Sequence, residues 1–312
     1  MKMILIGPSG RPEMGLLSEH QPLSNTPLLG QGLLEYWLSH LACQGVKTAL
    51  VLASDRPEQV QALVDGGSRW GMEVEVITET QELAPAQALA KYGPGTLAGA
   101  QEVSAVVLDR FPGRSGPPLF ASYRQWFAAL LDWMPSALTP DRVGVRQVRS
   151  GIWAGLHTHI SNKAALHPPC WLGDHIYVGP GAVIGPGAIL ESGAFIESDA
   201  EIRNSCVGPD TFVGRYTRIQ GSVAWGSTLI DWQTGLESKV SEAFLLCSLR
   251  QPDKKRQPAP WLERLVELWS RWTEEPSVSQ ETILQGAVNP ITTPNSVSSG
   301  SLVDAAFGRT LH

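Results

Sequence analysis

The chain is an α/β domain built on a parallel sheet, followed by a parallel β-solenoid. Three observations predict this. Aliphatic residues recur at every sixth position from Val148 to Ile219. Over the first ~110 residues, apolar runs of strand length alternate with segments of helical periodicity. The 31 glycines and 23 prolines supply the many turns that both parts need.

The bulk properties narrow the function classes. At 312 residues, 43% hydrophobic and 17% charged, the chain has length for two domains and apolar mass for a real core. A net charge of -6 argues against nucleic-acid binding, since no basic face would neutralise phosphates. Cys43, Cys170, Cys206 and Cys247 lie far apart without a CxxC pair, so neither a zinc site nor a disulfide framework is expected. The opening MKMILIGPSG lacks the long apolar region of a signal peptide, and no stretch nears the ~20 apolar residues of a membrane span. A cytoplasmic protein with reduced thiols is expected.

In chain order, MILIG reads as a buried strand running into a glycine turn. GLLEYWLSHLACQGV reads as an amphipathic helix with Leu34, Trp37, Leu38 and Leu41 on one face. TALVLAS is a second strand, PEQVQALVDGG a helix ended by glycine, MEVEVIT a third strand and EVSAVVLD a fourth. Such alternation implies a parallel sheet with helices on both faces. Ligands of these sheets sit at the carboxyl ends of strands. Gly7-Pro8-Ser9-Gly10 and Asp109 therefore fall at the expected mouth. FASYRQWFAALLDWM adds a helix carrying Phe120, Tyr123, Phe127, Leu130 and Leu131, which completes a domain over residues 1–147.

The repeat begins at Val148 and runs through Ala154, Ile160, Leu166, Leu172, Val178, Ile184, Leu190, Ile196 and Ile202. It then drops one residue and resumes at Val207, Val213 and Ile219. Four places after most of these positions stands a small residue, such as Ala182, Ala188, Ala194 and Ala200, and glycine often follows the aliphatic directly. A period of six fits neither a helix nor a paired sheet. It fits a short strand, a corner and another short strand, three hexads closing one 18-residue coil. Each coil is then stabilised by its neighbours. The same period puts Trp153 over Trp171, Gly155 over Gly173 and His157 over His175, about 4.8 Å apart as in other ladders. The tryptophans are expected to cap or flank the start of the solenoid. The histidine pair is a candidate proton-transfer or metal corner, against the plain reading of polar residues at exposed turns.

STLIDWQTGLESKVSEAFLLC predicts a hairpin or two turned at Thr234-Gly235, which extends the solenoid region to 148–250. A charged linker, DKKRQP, leads to the amphipathic helix APWLERLVELWSRWTEE (259–275), with Trp261, Leu265, Leu268 and Trp272 on one face. It suits packing against the solenoid or a second subunit, or docking on a membrane surface or partner. Residues 276–312, rich in Ser, Thr, Asn, Pro and Gly, are expected to be disordered.

The order strand, glycine turn, LLEYWLSHLACQGV, strand, DRPEQVQALVDGGSRWGMEVEVITET resembles the sugar-phosphate nucleotidyltransferases, or NDP-sugar pyrophosphorylases. These join a nucleoside triphosphate to a sugar 1-phosphate and release pyrophosphate. Many carry a hexapeptide β-helix behind the catalytic domain, and the resemblance spans residues 1–110 and 148–224. It implies a left-handed winding, although ordinary crossovers are right-handed. It also implies nucleotide contacts from Gly7, Ser9, Gly10 and Arg11, a Mg²⁺ ion held by Asp109, and a homo-oligomer. The ligands would be a nucleotide or sugar phosphate.

The family's loop, roughly GGxGTRL, is here Gly7-Pro8-Ser9-Gly10-Arg11-Pro12-Glu13. Pro8 removes an N–H donor, and the family's arginine position is Pro12, with Arg11 one place away. Gln21-Pro22-Leu23 lacks the family's lysine, and Leu83-Ala84-Pro85-Ala86-Gln87 lacks both glycines of its base-contacting turn. Leu108 replaces the glycine before Asp109. Only about 38 residues separate Asp109 from Val148, so the sugar-binding half is absent or much reduced. Each lost charged contact to a transition state costs about 10²–10³ in rate. Three functions follow as expectations: a catalytically impaired homologue with a binding or scaffold role in bacterial polysaccharide or sugar-nucleotide metabolism, an active nucleotidyltransferase using Arg11 and Asp109, and an acyltransferase with His157, His159, His167 or His175 as its base.

Overall fold

Four apolar runs form one parallel sheet. They are β1 (Lys2–Ile6), β2 (Thr48–Ala53), β3 (Glu73–Thr78) and β4 (Val103–Val107), ordered β3-β2-β1-β4 in a computed structural model that describes residues 2–93, 103–138 and 144–250. All three pairings are parallel. Side chains alternate across a strand, so β1 sends Leu5 to one face and Ile4 and Ile6 to the other. Leu5, Val51 and Val74 join the large core under α1 (Leu33–Cys43), α2 (Pro57–Val64) and α4 (Tyr123–Trp133). Ile4, Ile6, Leu50 and Leu52 pack with Ala88 of α3 (Pro85–Tyr92).

The α3 helix corrects a sequence expectation. The stretch read as the counterpart of a base-contacting turn is a helix start, with Pro85 at the first position and the Gln87 side chain accepting from Ala84 N–H. Glu35 closes a similar box at α1 by accepting from Gly32 N–H at 2.8 Å. Its other oxygen holds Arg69 at 2.6 Å, and Trp70 Nε1 donates to Ser39 Oγ. The LLEYW and SRWG motifs are thus one packing unit. α2 ends on Asp65 in the left-handed region (φ 45°), with Gly66 and Gly67 continuing the turn, rather than directly on a glycine. A Cβ on Gly67 would lie 2.4 Å from the Val74 side chain.

Behind this domain the chain visits three stacks of short strands in rotation. Ile152–Ala154, Cys170–Leu172, Ala188–Leu190, Ser205–Val207 and Ser222–Trp225 pair in parallel in one stack. His159–Ile160, Tyr177–Val178, Phe195–Ile196 and Thr211–Val213 form the second. Ala165–Leu166, Val183–Ile184, Glu201–Arg203 and Arg218–Gln220 form the third. This arrangement is compatible with a three-faced β-helix. Partners are 18 residues apart up to the Val183–Glu201 pair and 17 apart from Ala188–Ser205 onward. The missing residue is lost at the corner after Arg203, where Asn204 turns at φ 44°. The hexad aliphatics Leu172, Val178, Ile184, Leu190, Ile196, Ile202, Val207 and Val213 are all fully buried in one interior cluster.

One expectation about the ends of the stack changes, and another is narrowed. Val148 is not a rung, because Arg146–Arg149 runs antiparallel along Ile152–Ala154 with a bulge. Parallel pairing begins at Ile152. Trp153 and Trp171 are in register as expected, and of the two expected roles they flank the start of the stack rather than cap it. They point outward from their strands into the core shared with Leu28, Leu29, Tyr36 and Trp133. Ile189, Cys206 and Val223 continue that outward line beneath the N-terminal domain. At the far end, Thr228–Asp231 and Glu237–Lys239 form the expected hairpin, turned at Thr234-Gly235 with Gly235 at φ 75°. Leu246–Ser248 closes antiparallel on Thr211–Val213. All described residues lie in one compact unit, Met1–Ser277. Among them, no helix is long and apolar enough to cross a membrane. The expected 259–275 helix and 276–312 tail lie outside the described residues.

Candidate functional site

β1 ends at Ile6, and Gly7 is held against β2 by its N–H to Leu52 O at 2.8 Å. This places the Gly7–Arg11 loop at the carboxyl end of the sheet, as expected. Pro12–Met14 then forms a single 3-10 turn. Asp109 follows β4 at the same end, so the structure brings together Gly7, Ser9, Gly10, Arg11 and Asp109.

A residue absent from the sequence reading decides the character of this mouth. Glu82 reaches in from the segment between β3 and α3. Its Oε2 accepts from Ser9 N–H and Ser9 Oγ–H, both at 2.9 Å, and from Arg11 Nη1 at 2.8 Å. Its Oε1 accepts from Arg11 Nη2 at 3.0 Å, completing a two-pronged pair. Arg11 also donates to Ser9 Oγ at 2.8 Å. The backbone donor and the cation that would meet a phosphate both meet a carboxylate of the same chain. Burial alone raises the Glu82 pKa, but the bonds from Arg11 and Ser9 outweigh it and hold it below the ordinary 4.5. The Arg11 pKa is raised, chiefly by its hydrogen bond to Glu82. No motif flags Glu82, whose role depends on a contact across 71 residues.

Asp109 stands 3.6 Å from Arg110. Burial raises its pKa above 3.8 and the Glu82 charge adds to that, while Arg110 and Arg11 oppose it. With the guanidiniums of Arg110 and Arg11 close by, Asp109 is a poorly placed Mg²⁺ ligand. Among the described residues, no three His, Cys, Asp or Glu side chains converge as a metal would need. The crevice beside Gly7 and Pro8, walled by Pro22, Val51, Ala53 and Val60, is too narrow to admit a water molecule.

The four histidines do not form one site. His157 and His175 stack with ring centroids 4.8 Å apart and 12° between planes, both on left-handed backbone at a corner (φ 52° and 55°). His159 lies on a different face and stacks on Tyr177 at 5.4 Å. His167 is exposed at the next corner, with its N–H on Ile184 O. Among the described residues, no third His, Cys, Asp or Glu stands beside the pair to complete a metal site.

Among known proteins, no family model and no curated sequence matches this chain.

Proposed function

We propose that the protein is a catalytically impaired sugar-nucleotidyltransferase homologue with a binding or scaffold role in bacterial polysaccharide or sugar-nucleotide metabolism. In this reading its repeats wind as a left-handed β-helix, and it works in the cytoplasm as a homo-oligomer. The observation that carries the proposal is the Arg11–Glu82 pair, bidentate at 2.8 and 3.0 Å. The loop has already lost a donor at Pro8 and its arginine position at Pro12. Arg11, one place before it, is spent on an internal carboxylate. Glu82 and Asp109 add negative charge where a triphosphate would need positive charge. Should a triphosphate bind, Mg²⁺ would be its counter-ion and Asp109 the candidate ligand, and Arg11 and Arg110 weaken that role. All four cysteines are free thiols, which suits a reducing compartment.

Pyrophosphate release, measured with the full chain, Mg²⁺ and each pairing of common nucleoside triphosphates with sugar 1-phosphates, tests this. No turnover above the buffer rate is expected. Turnover at an ordinary enzymatic rate with any pairing would overturn the proposal and favour an active nucleotidyltransferase. Turnover of acyl-CoA would instead favour the acyltransferase reading.

A further inference from the structure

A second concave site, sharing no lining residue with the mouth, lies where α4 meets the corner of the shortened coil. It is a groove of about 630 Å³, within the usual range for small-ligand sites. Its walls come from four separate segments. α4 contributes Arg124, Phe127 and Leu131, the coil corners contribute Asn204 and Gln220, and the terminal hairpin contributes Trp232 and Gln233.

The groove is built rather than incidental. Trp232 N–H bonds Gly221 O at 3.2 Å, and its indole Nε1 donates to Asn204 O at 2.8 Å. The indole stacks on Phe127 at 5.0 Å and 22°. Asp231 Oδ1 accepts from Gln233 N–H at 2.8 Å and Thr234 N–H at 2.9 Å, fixing the hairpin tip. Those bonds hold the Asp231 pKa below 3.8 and leave it ionised. The hairpin is thus pinned over the corner where the repeat drops a residue.

The lining has a definite chemistry. It carries one cation, Arg124, and one anion, Asp231, so it offers no net field to a charged ligand. It presents exposed planar amides at Gln220 and Gln233, with an exposed guanidinium beside a half-buried indole. Planar polar side chains hydrogen-bond pairs of hydroxyls, while an aromatic ring takes the apolar C–H face of a ring. We propose that this groove binds a neutral saccharide, with Arg124 and Gln220 bonding hydroxyls and Trp232 supplying the apolar contact. The site shares no residue with the Gly7–Arg11 mouth and stands whether or not the mouth is inactive.

Titration calorimetry and ligand-observed NMR on the full chain test this, with cellobiose, maltose and N,N′-diacetylchitobiose as neutral probes and glucose 1-phosphate as the charged one. Saturable millimolar binding of at least one neutral disaccharide is expected. It should weaken about tenfold in Gln220→Ala and in Arg124→Ala, each removing one hydrogen-bonding group, and stay unchanged in Arg11→Ala. Gln220 and Arg124 are exposed, so both variants should melt like the parent protein. The proposal is overturned if no neutral probe saturates or if Gln220→Ala and Arg124→Ala bind as well as the parent. It is overturned equally if only glucose 1-phosphate binds and Arg11→Ala abolishes it. None of these outcomes bears on pyrophosphate release, which alone decides the reading of the mouth.

Discussion

Glu82 and Asp109 show opposite titration behaviour within one mouth. Glu82 is depressed in the folded protein, so it stabilises the fold above its unfolded pKa and loses that contribution as pH falls through the folded value. The melting temperature of the parent relative to Glu82→Gln should therefore decline as pH drops below 4.5. Asp109 is raised from 3.8, so its favourable contribution belongs to low pH and is lost as pH rises. Asp109→Asn should accordingly melt no lower than the parent at neutral pH. A drop would show that its carboxylate is structurally needed. Glu82→Ala removes the acceptor altogether and so releases Arg11 and Ser9 N–H for an anion. Calorimetry with inorganic phosphate should give binding in this variant and none in the parent, and equal behaviour of the two would reject Glu82 as the group closing the loop.

The stacked strands explain why the repeat tolerates so little change. Each interior aliphatic packs against the rung above and below. Leu190, fully buried between Leu172 and Val207, should cost about 3 kcal/mol or more when changed to alanine, read by denaturant unfolding. Corner glycines are constrained by backbone rather than volume. Gly185 turns at φ 90°, and a Cβ there would lie 1.9 Å from His167 O. Gly185→Ala should therefore destabilise by about 2 kcal/mol or more, whereas Gly221→Ala, with the same kind of φ (65°) and no near atom, should cost about 1–2 kcal/mol. The hexad period exposed these elements because each inward residue and each corner is a local demand. The slip at Ile202–Val207 was equally legible, and its effect is the change of spacing from 18 to 17.

The two parts of the molecule are joined through a buried carboxylate. Glu191 is fully buried, and its oxygens accept from Leu29 N–H at 2.6 Å and Gly30 N–H at 2.7 Å. Those amides belong to the tight turn of the Pro27–Leu28/Gln31–Gly32 hairpin, with Leu29 at φ 55° and Gly30 at φ 81°. Consecutive left-handed residues point both N–H groups to one side, a ready anion cradle. Glu191→Ala removes the acceptor of one buried and one half-buried donor and should lower stability by about 2–4 kcal/mol in denaturant unfolding. A loss below about 0.5 kcal/mol would show that the apolar face alone joins the two parts. No sequence pattern singles out this role: Ile196 is likewise followed by a glutamate, Glu197, which is only half-buried.

Period and composition by themselves determined the four parallel strands, the helices α1, α2 and α4, the interior line from Ala154 to Ile219 and the Trp153–Trp171 and His157–His175 stacks. Each follows from spacing along the chain, which local sterics and side-chain alternation translate directly into position. Tertiary structure alone decided that Val148 belongs to an antiparallel strand, that the tryptophan face is a domain interface, and that Glu82 closes on Arg11. These are contacts between segments tens of residues apart. Their partners are selected by which surfaces meet after folding, and no local pattern in a single chain encodes that meeting.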